Sequence, residues 1–296
     1  MDGVLNINKP ERKTSYSIVA MVIRLTGEKH VGHAGTLDPM ATGVLPVCLG
    51  QATRLVEYLM DTTKTYRAEI ELGVSTDSFD REGTVTQQED TSGITLKQLE
   101  TTLNSFRGVI TQIPPMYSAV KHQGKPLYEL ARAGIDVERK SRTAKIYSLE
   151  LNSWENPILH IEVTCGKGTY IRSLANDLGQ VLGCGAMLKN LERSRCGIFD
   201  IKEAITPEHF EEACRVGYWE SLLYPMDSIL SHWETVIVGE KKAQAIRNGT
   251  LISLEEDSIL KVGSNYCRAY TWDGTLLSIL HFDSEKKQWQ PEKVFS

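Results

Sequence analysis

Several absences narrow the reading of this chain. No apolar run approaches the roughly 20 residues needed to cross a bilayer, and the first residues lack the basic, apolar and small-residue succession of a secretory signal. A soluble, cytoplasmic protein is therefore expected, with no membrane partner. The six cysteines (Cys48, Cys165, Cys184, Cys196, Cys214 and Cys267) lie far apart, with no C-x-x-C pair and no histidine at zinc-finger spacing. They read as reduced core thiols, and no metal site is expected. Internal repeats and low-complexity tracts are also missing, which excludes solenoids and disordered tails. Positive charge is in deficit: 33 Lys and Arg face 38 Asp and Glu, a formal net charge of -5. Taken alone, that balance speaks against a phosphate-binding surface.

The net figure conceals an uneven distribution. Between Ala119 and Lys145 stand seven basic residues (Lys121, Lys125, Arg132, Arg139, Lys140, Arg142, Lys145) and three acids (Glu129, Asp136, Glu138). This is the segment best suited to phosphates. A length of 296 residues with 41% hydrophobic content suffices for one large core, or for a medium core with a small appended domain.

Periodicity locates the main elements. Ser15 is the expected cap of a helix with Ile18, Val19, Val22, Ile23 and Leu25 at helical spacing, ended by Gly27. From Tyr66 to Leu72 the chain alternates, with Tyr66, Ala68, Ile70 and Leu72 on one face and charged residues on the other, so Tyr66 should point inward. Thr95 and Gln98 form a capping box before an apolar stripe of Leu96, Leu99, Leu103 and Phe106, which Gly108 ends. Two strands, 144–154 and 158–165, precede a helix with Ile171, Leu174, Ala175, Leu178 and Leu182 on one face, closed by Gly183. Thr206-Pro207 opens another helix. Beyond residue 229 short strands dominate, with a hairpin expected through Asp273-Gly274. Strands and helices do not alternate as in a doubly wound sheet, so the expected class is α+β.

The densest chemical signal runs from Gly32 to Pro46, GHAGTLDPMATGVLP. Its glycines permit turns and close backbone approach, and Pro39 stiffens the chain directly after the carboxylate of Asp38. On residue types alone, Asp38 suits a turn hydrogen bond as well as catalysis. The segment resembles the catalytic motif of the TruB family of tRNA pseudouridine synthases. Further matches follow in order: Gly3 to Ser15 with Lys9-Pro10; Gly50 to Arg54; Lys64-Thr65-Tyr66; Pro114 to Lys121 with Gly124, Leu127-Tyr128, Ala131-Arg132 and Gly134; and Cys165 to Leu174 with Asp177-Leu178-Gly179 and Leu182 to Ala186. Together they span roughly residues 3 to 200. Arg12 stands where the family commonly has glycine, Gly166 where a small polar residue is usual, and Glu192 where a basic one is frequent.

The resemblance implies a pseudouridine synthase fold: a central, mostly antiparallel mixed sheet flanked by helices and loops, with a small β-rich domain of the PUA type at the C-terminus. The expected boundaries are 1–229 and 230–296, with a thumb-like RNA-binding insertion at about 118–145. No candidate catalytic residue lies beyond 229, so the chemistry should survive loss of the C-terminal unit. The implied activity is isomerisation of uridine to pseudouridine at position 55 in the T-loop of tRNA, without cofactor, guide RNA or obligatory protein partner. Alternatives are a fold retained for RNA binding or RNA folding alone, and the same chemistry on a different RNA.

By the same resemblance, Asp38 is the nucleophile, Arg172 its ion-pair partner, and Tyr66 stacks on the target base and helps remove the C5 proton. His33 enters the loop to support the flipped base, and Tyr170 and Leu191 line the uracil pocket. Lys9, Lys64, Lys121, Lys125, Arg132 and Lys167 are the candidate phosphate contacts. Whether Asp38 attacks C1' of the sugar or C6 of the base, or assists elimination to a glycal, is left open by the residues.

Overall fold

The computed structural model describes residues 1–254 and 265–295; positions 255–264 and 296, part of the expected C-terminal domain, lie outside the described residues. In chain order, β1 (Gly3–Lys9) leads to helix α1 (Ser15–Thr26), then β2 (Val31–His33), β3 (Thr42–Leu49), the short α2 (Val56–Met60) and β4 (Lys64–Leu72). A ribbon of β5 (Val74–Thr76) and β6 (Val85–Gln88) precedes α3 (Leu96–Ser105) and β7 (Gly108–Gln112). The basic segment folds as a small hairpin, β8 (Lys121–His122) and β9 (Lys125–Pro126), followed by α4 (Leu127–Arg132). Then come β10 (Arg142–Glu155), β11 (Ile158–Cys165), α5 (Ile171–Leu182), β12 (Ala186–Cys196), β13 (Phe199–Asp200) and α6 (Pro207–Val216). A second group comprises β14 (Glu234–Ile237), α7 (Glu240–Arg247), β15 (Tyr266–Tyr270), β16 (Leu276–Asp283) and β17 (Gln288–Val294).

The large sheet runs β1-β3-β12-β4-β11-β10-β7, with β2 beside β3 and β13 beside β12. Its pairings are antiparallel except β3 with β12, which makes it mixed and mostly antiparallel, as expected. Helices α1, α3 and α5 bury their apolar stripes against one face in a single cluster that includes Ile18, Leu99, Leu174, Ile70, Val163 and Leu188. Strand β4 lies at the centre of the sheet, and its alternation holds: Ala68, Ile70 and Leu72 are buried while Arg67 is exposed.

Local signals were read correctly where a cap or period decides. Thr95 and Gln98 form the reciprocal capping box of α3, Thr206 caps α6, and Gly183 closes α5 in the left-handed region at φ 78°. Three details differ. Thr14, not Ser15, caps α1 by accepting from the Ser17 amide; the Ser15 hydroxyl turns instead to the Asp38 loop, accepting from Leu37 N at 2.9 Å and donating to its carbonyl. Leu96 is 48% exposed, outside the stripe formed by Leu99 and Leu103, because it sits at the start of α3 before the helix meets the sheet. The C-terminal hairpin forms, but its strands end at Tyr270 and Leu276, so Trp272 belongs to a five-residue connection and stands 77% exposed.

The second sheet has the order β14-β15-β16-β17 and its own cluster with α7. It is not insulated from the first. Leu276, Ile279 and Phe295 join Val44, Cys48, Ala52, Leu55 and Phe199 in one shared apolar cluster, so the C-terminal unit covers the back of the strand that follows the catalytic loop. Tyr58 packs edge-on against Trp233 at 5.0 Å, and the Arg54 guanidinium donates to Val294 O at 2.7 Å. The side chains of this unit therefore complete the apolar packing behind β3. The cysteines are unpaired, and five of the six are buried.

Candidate active site

The segment between β2 and β3 is a braced loop. Glycines at 35 and 43 take φ of 88° and 104°, which L side chains rarely adopt, and a Cβ on Gly43 would sit 2.3 Å from the Arg193 carbonyl oxygen. The opening segment holds the loop from the other side. Arg12 N donates to Pro39 O at 2.8 Å, and Arg12 itself has φ 64°, which gives a physical reason for the glycine common at this place in the family.

Asp38 projects from this loop onto Arg172 in the first turn of α5. The Arg172 Nε lies 2.9 Å from Asp38 Oδ2, and Nη2 donates to Oδ1 at 3.1 Å, the two-pronged geometry in which arginine holds a carboxylate best. The Arg172 side chain is 5% exposed and that of Asp38 33%, so the cation is sunk into the protein while the carboxylate keeps an open edge. Burial raises the Asp38 carboxyl above its ordinary value; the Arg172 charge opposes that rise and the negative charge of Asp80 adds to it.

Asp80 is a site residue that the sequence did not disclose. Its Oδ2 is 3.3 Å from Arg172 Nη1, and both side chains are 5% exposed. Ser78 Oγ donates to Asp80 Oδ1 at 2.5 Å and the Glu82 amide to the same oxygen at 3.1 Å, so the carboxylate is fixed before it meets the guanidinium. Arg172 also donates to the carbonyls of Tyr117, at 2.7 Å, and Ser78. The start of α5 is clamped by another unforeseen residue, the buried Gln112, whose amide bonds both N and O of Tyr170 at 3.1 Å. No local motif marks Ser78, Asp80 or Gln112 in the sequence; only their partners reveal their work.

Tyr66 lies on β4 between Val163 of β11 and Arg193 of β12. Burial pushes its phenol up to about 12, against the charge of Arg193. His33, on β2, has a buried Nδ1 with no protein hydrogen-bond partner. Burial and the Arg193 charge lower its pKa, which favours a neutral ring. Leu191, 8% exposed, lines a hollow of about 430 Å³ together with Met40, Thr42, Ala68 and Asn190. Tyr170 is not among its lining; it sits instead where the charges of Arg172 and Asp38 reach its phenol. Glu192, at the rim of that hollow, pairs with Arg67 at 3.2 Å.

The basic candidates divide. Lys121, Lys125 and Arg132 are exposed, and the Arg132 guanidinium rests 5.6 Å from the centre of the Tyr128 ring. Lys167 is also exposed and pairs with Asp61 at 2.6 Å, a surface bond of little strength that a phosphate can displace. Lys9 and Lys64 require correction. Lys9 is fully buried, and its ammonium donates to the carbonyls of Pro10, Lys13 and Pro39; desolvation pulls it down to about 8. Lys64 donates to Leu59, Met60 and Thr62. With three donors each engaged by carbonyls, these lysines brace turns and face no RNA. Among the described residues no group of three or more His, Cys, Asp or Glu is arranged to hold a metal, and no helix is long and apolar enough to cross a membrane.

This mixed sheet, with an aspartate loop at one end of β3 and an arginine at the head of α5, is the pseudouridine synthase fold. The structure superimposes on a chain of a Cbf5-Nop10-Gar1 complex with a TM-score of 0.75 and 27% identity, covering 99% of this chain and 85% of that one. The family model for the N-terminal domain of TruB family pseudouridylate synthases matches residues 24–171, and that for the tRNA pseudouridylate synthase B C-terminal domain matches 172–231. The chain belongs to the TruB family of pseudouridylate synthases. A tRNA pseudouridine synthase B of Dehalococcoides mccartyi (strain CBDB1) is 47% identical over 295 residues, covering 100% of this chain and 97% of that protein. One from Clostridium kluyveri is 45% identical over 262 residues, 88% of each chain.

Proposed function

We propose that this protein isomerises uridine to pseudouridine at position 55, in the T-loop of tRNA, with Asp38 as nucleophile. The observation that carries the reading is the carboxylate of Asp38, held by two nitrogens of a buried Arg172 yet one-third open to an incoming base. The reaction breaks the N1–C1' bond, turns the uracil, joins C5 to C1' and releases the C5 proton. It is redox-neutral. A carboxylate suits it because covalent capture splits one difficult step into easier ones, and the Arg172 charge favours the ionised form that must attack.

The target must leave its stack to reach Asp38, at a cost of a few kcal/mol. Neutral His33 is the group to fill the space it vacates, Tyr66 to stack on the extruded uracil and help take its C5 proton, and Tyr170 and Leu191 to border it. The exposed cations Lys121, Lys125, Arg132 and Lys167 meet the T-arm phosphates. Residues 230–296 act as a PUA-like RNA-binding unit, and the enzyme works in the cytoplasm without guide RNA or obligatory protein partner.

The test is tritium release from 5-tritiated uridine in an isolated T-arm stem-loop, with the product position mapped. Wild-type protein should modify that single uridine and leave unstructured RNA of the same sequence nearly untouched. Asp38→Asn should bind the stem-loop and release no tritium; release within tenfold of wild type would remove Asp38 from the chemistry.

A further inference from the structure

The largest side chain that is fully buried belongs to Arg193. A guanidinium stripped of water is costly unless its donors are met, and among the described ion pairs none joins Arg193 to a carboxylate. Its hydrogen-bond partners are backbone carbonyls. Nε donates to Val44 O at 2.7 Å and Nη2 to Gly35 O at 3.0 Å. These two carbonyls flank Asp38, three residues before it and six after. The Arg193 charge also reaches the Tyr66 phenol, where it opposes the rise caused by burial. Register explains the placement: β12 sets Arg193 opposite Gly43 on one side and Tyr66 on the other, and the bare Gly43 lets the backbones close.

We propose that Arg193 is a positioning residue for the isomerisation, fixing both ends of the Asp38 loop against the strand that carries Tyr66. This rests on Asp38 and Tyr66 being the reacting groups. The planar fork of arginine spans two carbonyls on either side of Asp38 at once, whereas the single ammonium of lysine cannot hold the same directions. A residue needed only to fill this space would do so more cheaply as an apolar side chain, because burying an unpaired charge opposes folding. Its charge serves the site as well: it acts to keep His33 neutral and to restrain the rise of the Tyr66 phenol.

The experiment compares full-length Arg193→Lys and Arg193→Met with wild type, in single turnover on the tritiated T-arm stem-loop, with stem-loop affinity and folded fraction measured alongside. Arg193→Met should slow the folded enzyme about 100-fold, the scale of an ångström's misplacement, while affinity changes less than about threefold; Arg193→Lys should recover part of the rate. Combined with Tyr66→Phe, the loss should fall short of the product of the two single losses, since the two residues face each other across adjacent strands. A folded Arg193→Met protein at the wild-type rate, or losses that multiply, overturns the proposal. Should neither variant fold, Gly35→Ala sets a methyl 3.2 Å from Arg193 Nη1 while keeping the arginine. It should slow chemistry and spare affinity, and an unchanged rate refutes the role. If wild-type protein releases no tritium, the activity is misassigned; amide exchange over residues 35–44 then decides for Arg193, with faster exchange in Arg193→Met, or in Gly35→Ala where that variant does not fold, supporting the brace and unchanged protection overturning it.

Discussion

Replacing Asp80 with asparagine tests the charge balance on which the site depends. Arg172 stands between two carboxylates, 2.9 Å from Asp38 and 3.3 Å from Asp80. At an effective dielectric of about 20, the Asp80 attraction is worth about 5 kcal/mol before desolvation is counted. Breaking a buried pair typically costs about 3 to 5 kcal/mol. Asparagine can still accept from Ser78 and the Glu82 amide, and Arg172 keeps Asp38, so about 3 kcal/mol of stability is the expected loss. A guanidinium released on the Asp80 side can shift, carrying the paired Asp38 carboxylate with it, and misplacement by about an ångström slows turnover by about 100-fold. The pH response has the opposite sense. Asp80 is one of the groups holding the Asp38 pKa up, so removing its charge lowers that pKa, and Asp38 stays ionised to lower pH. Absolute rates should therefore fall while the acid limb of the single-turnover profile moves toward lower pH. Tritium release between pH 4 and 8 measures both. A rate within threefold of wild type together with an acid limb unmoved or shifted upward would refute the reasoning.

Three further outcomes are expected. Tyr66→Phe keeps the ring and loses the hydroxyl, so single-turnover rates should fall by about 100-fold or more, with stem-loop affinity nearly unchanged; equal rates would exclude the hydroxyl. Replacing Lys121, Lys125 and Arg132 together should weaken tRNA binding and flatten the slope of log affinity against log salt by about 2 to 3, one phosphate contact counting about 0.7 to 0.9; an unaltered slope would clear the segment of backbone contact. Ending the chain after residue 229 removes Leu230, Leu276, Ile279 and Phe295 from the cluster behind β3. At about 1.5 to 3 kcal/mol for each buried chain, the loss of about 6 to 12 kcal/mol rivals the whole stability of an ordinary domain, so the urea midpoint should collapse along with turnover. A truncated protein with the wild-type midpoint would show that the shared cluster is not a structural seam.

What the sequence determined alone is what neighbouring residues can encode. The capping box of Thr95 and Gln98, the alternation of Tyr66 to Leu72 and the stripe of α5 closed by Gly183 each need only a few successive side chains and a period, and each formed where expected. The Asp38 loop was legible too, because its glycines and proline announce a shaped backbone; its role came from resemblance. Partnerships were another matter. Asp38 and Arg172 lie 134 residues apart, and Asp80 reaches the same guanidinium from a different loop, a meeting that no local pattern records. Lys9 and Lys64 read as surface cations because lysine is rarely buried, yet each is surrounded by the carbonyls of turns that exist only once the sheet has closed. Arg193 is the clearest case: its neighbours in sequence say nothing, and its function follows from the two strands between which folding places it. Local chemistry selects the elements, but which charges lose their water, and which partners replace it, is decided by the tertiary packing that excludes solvent.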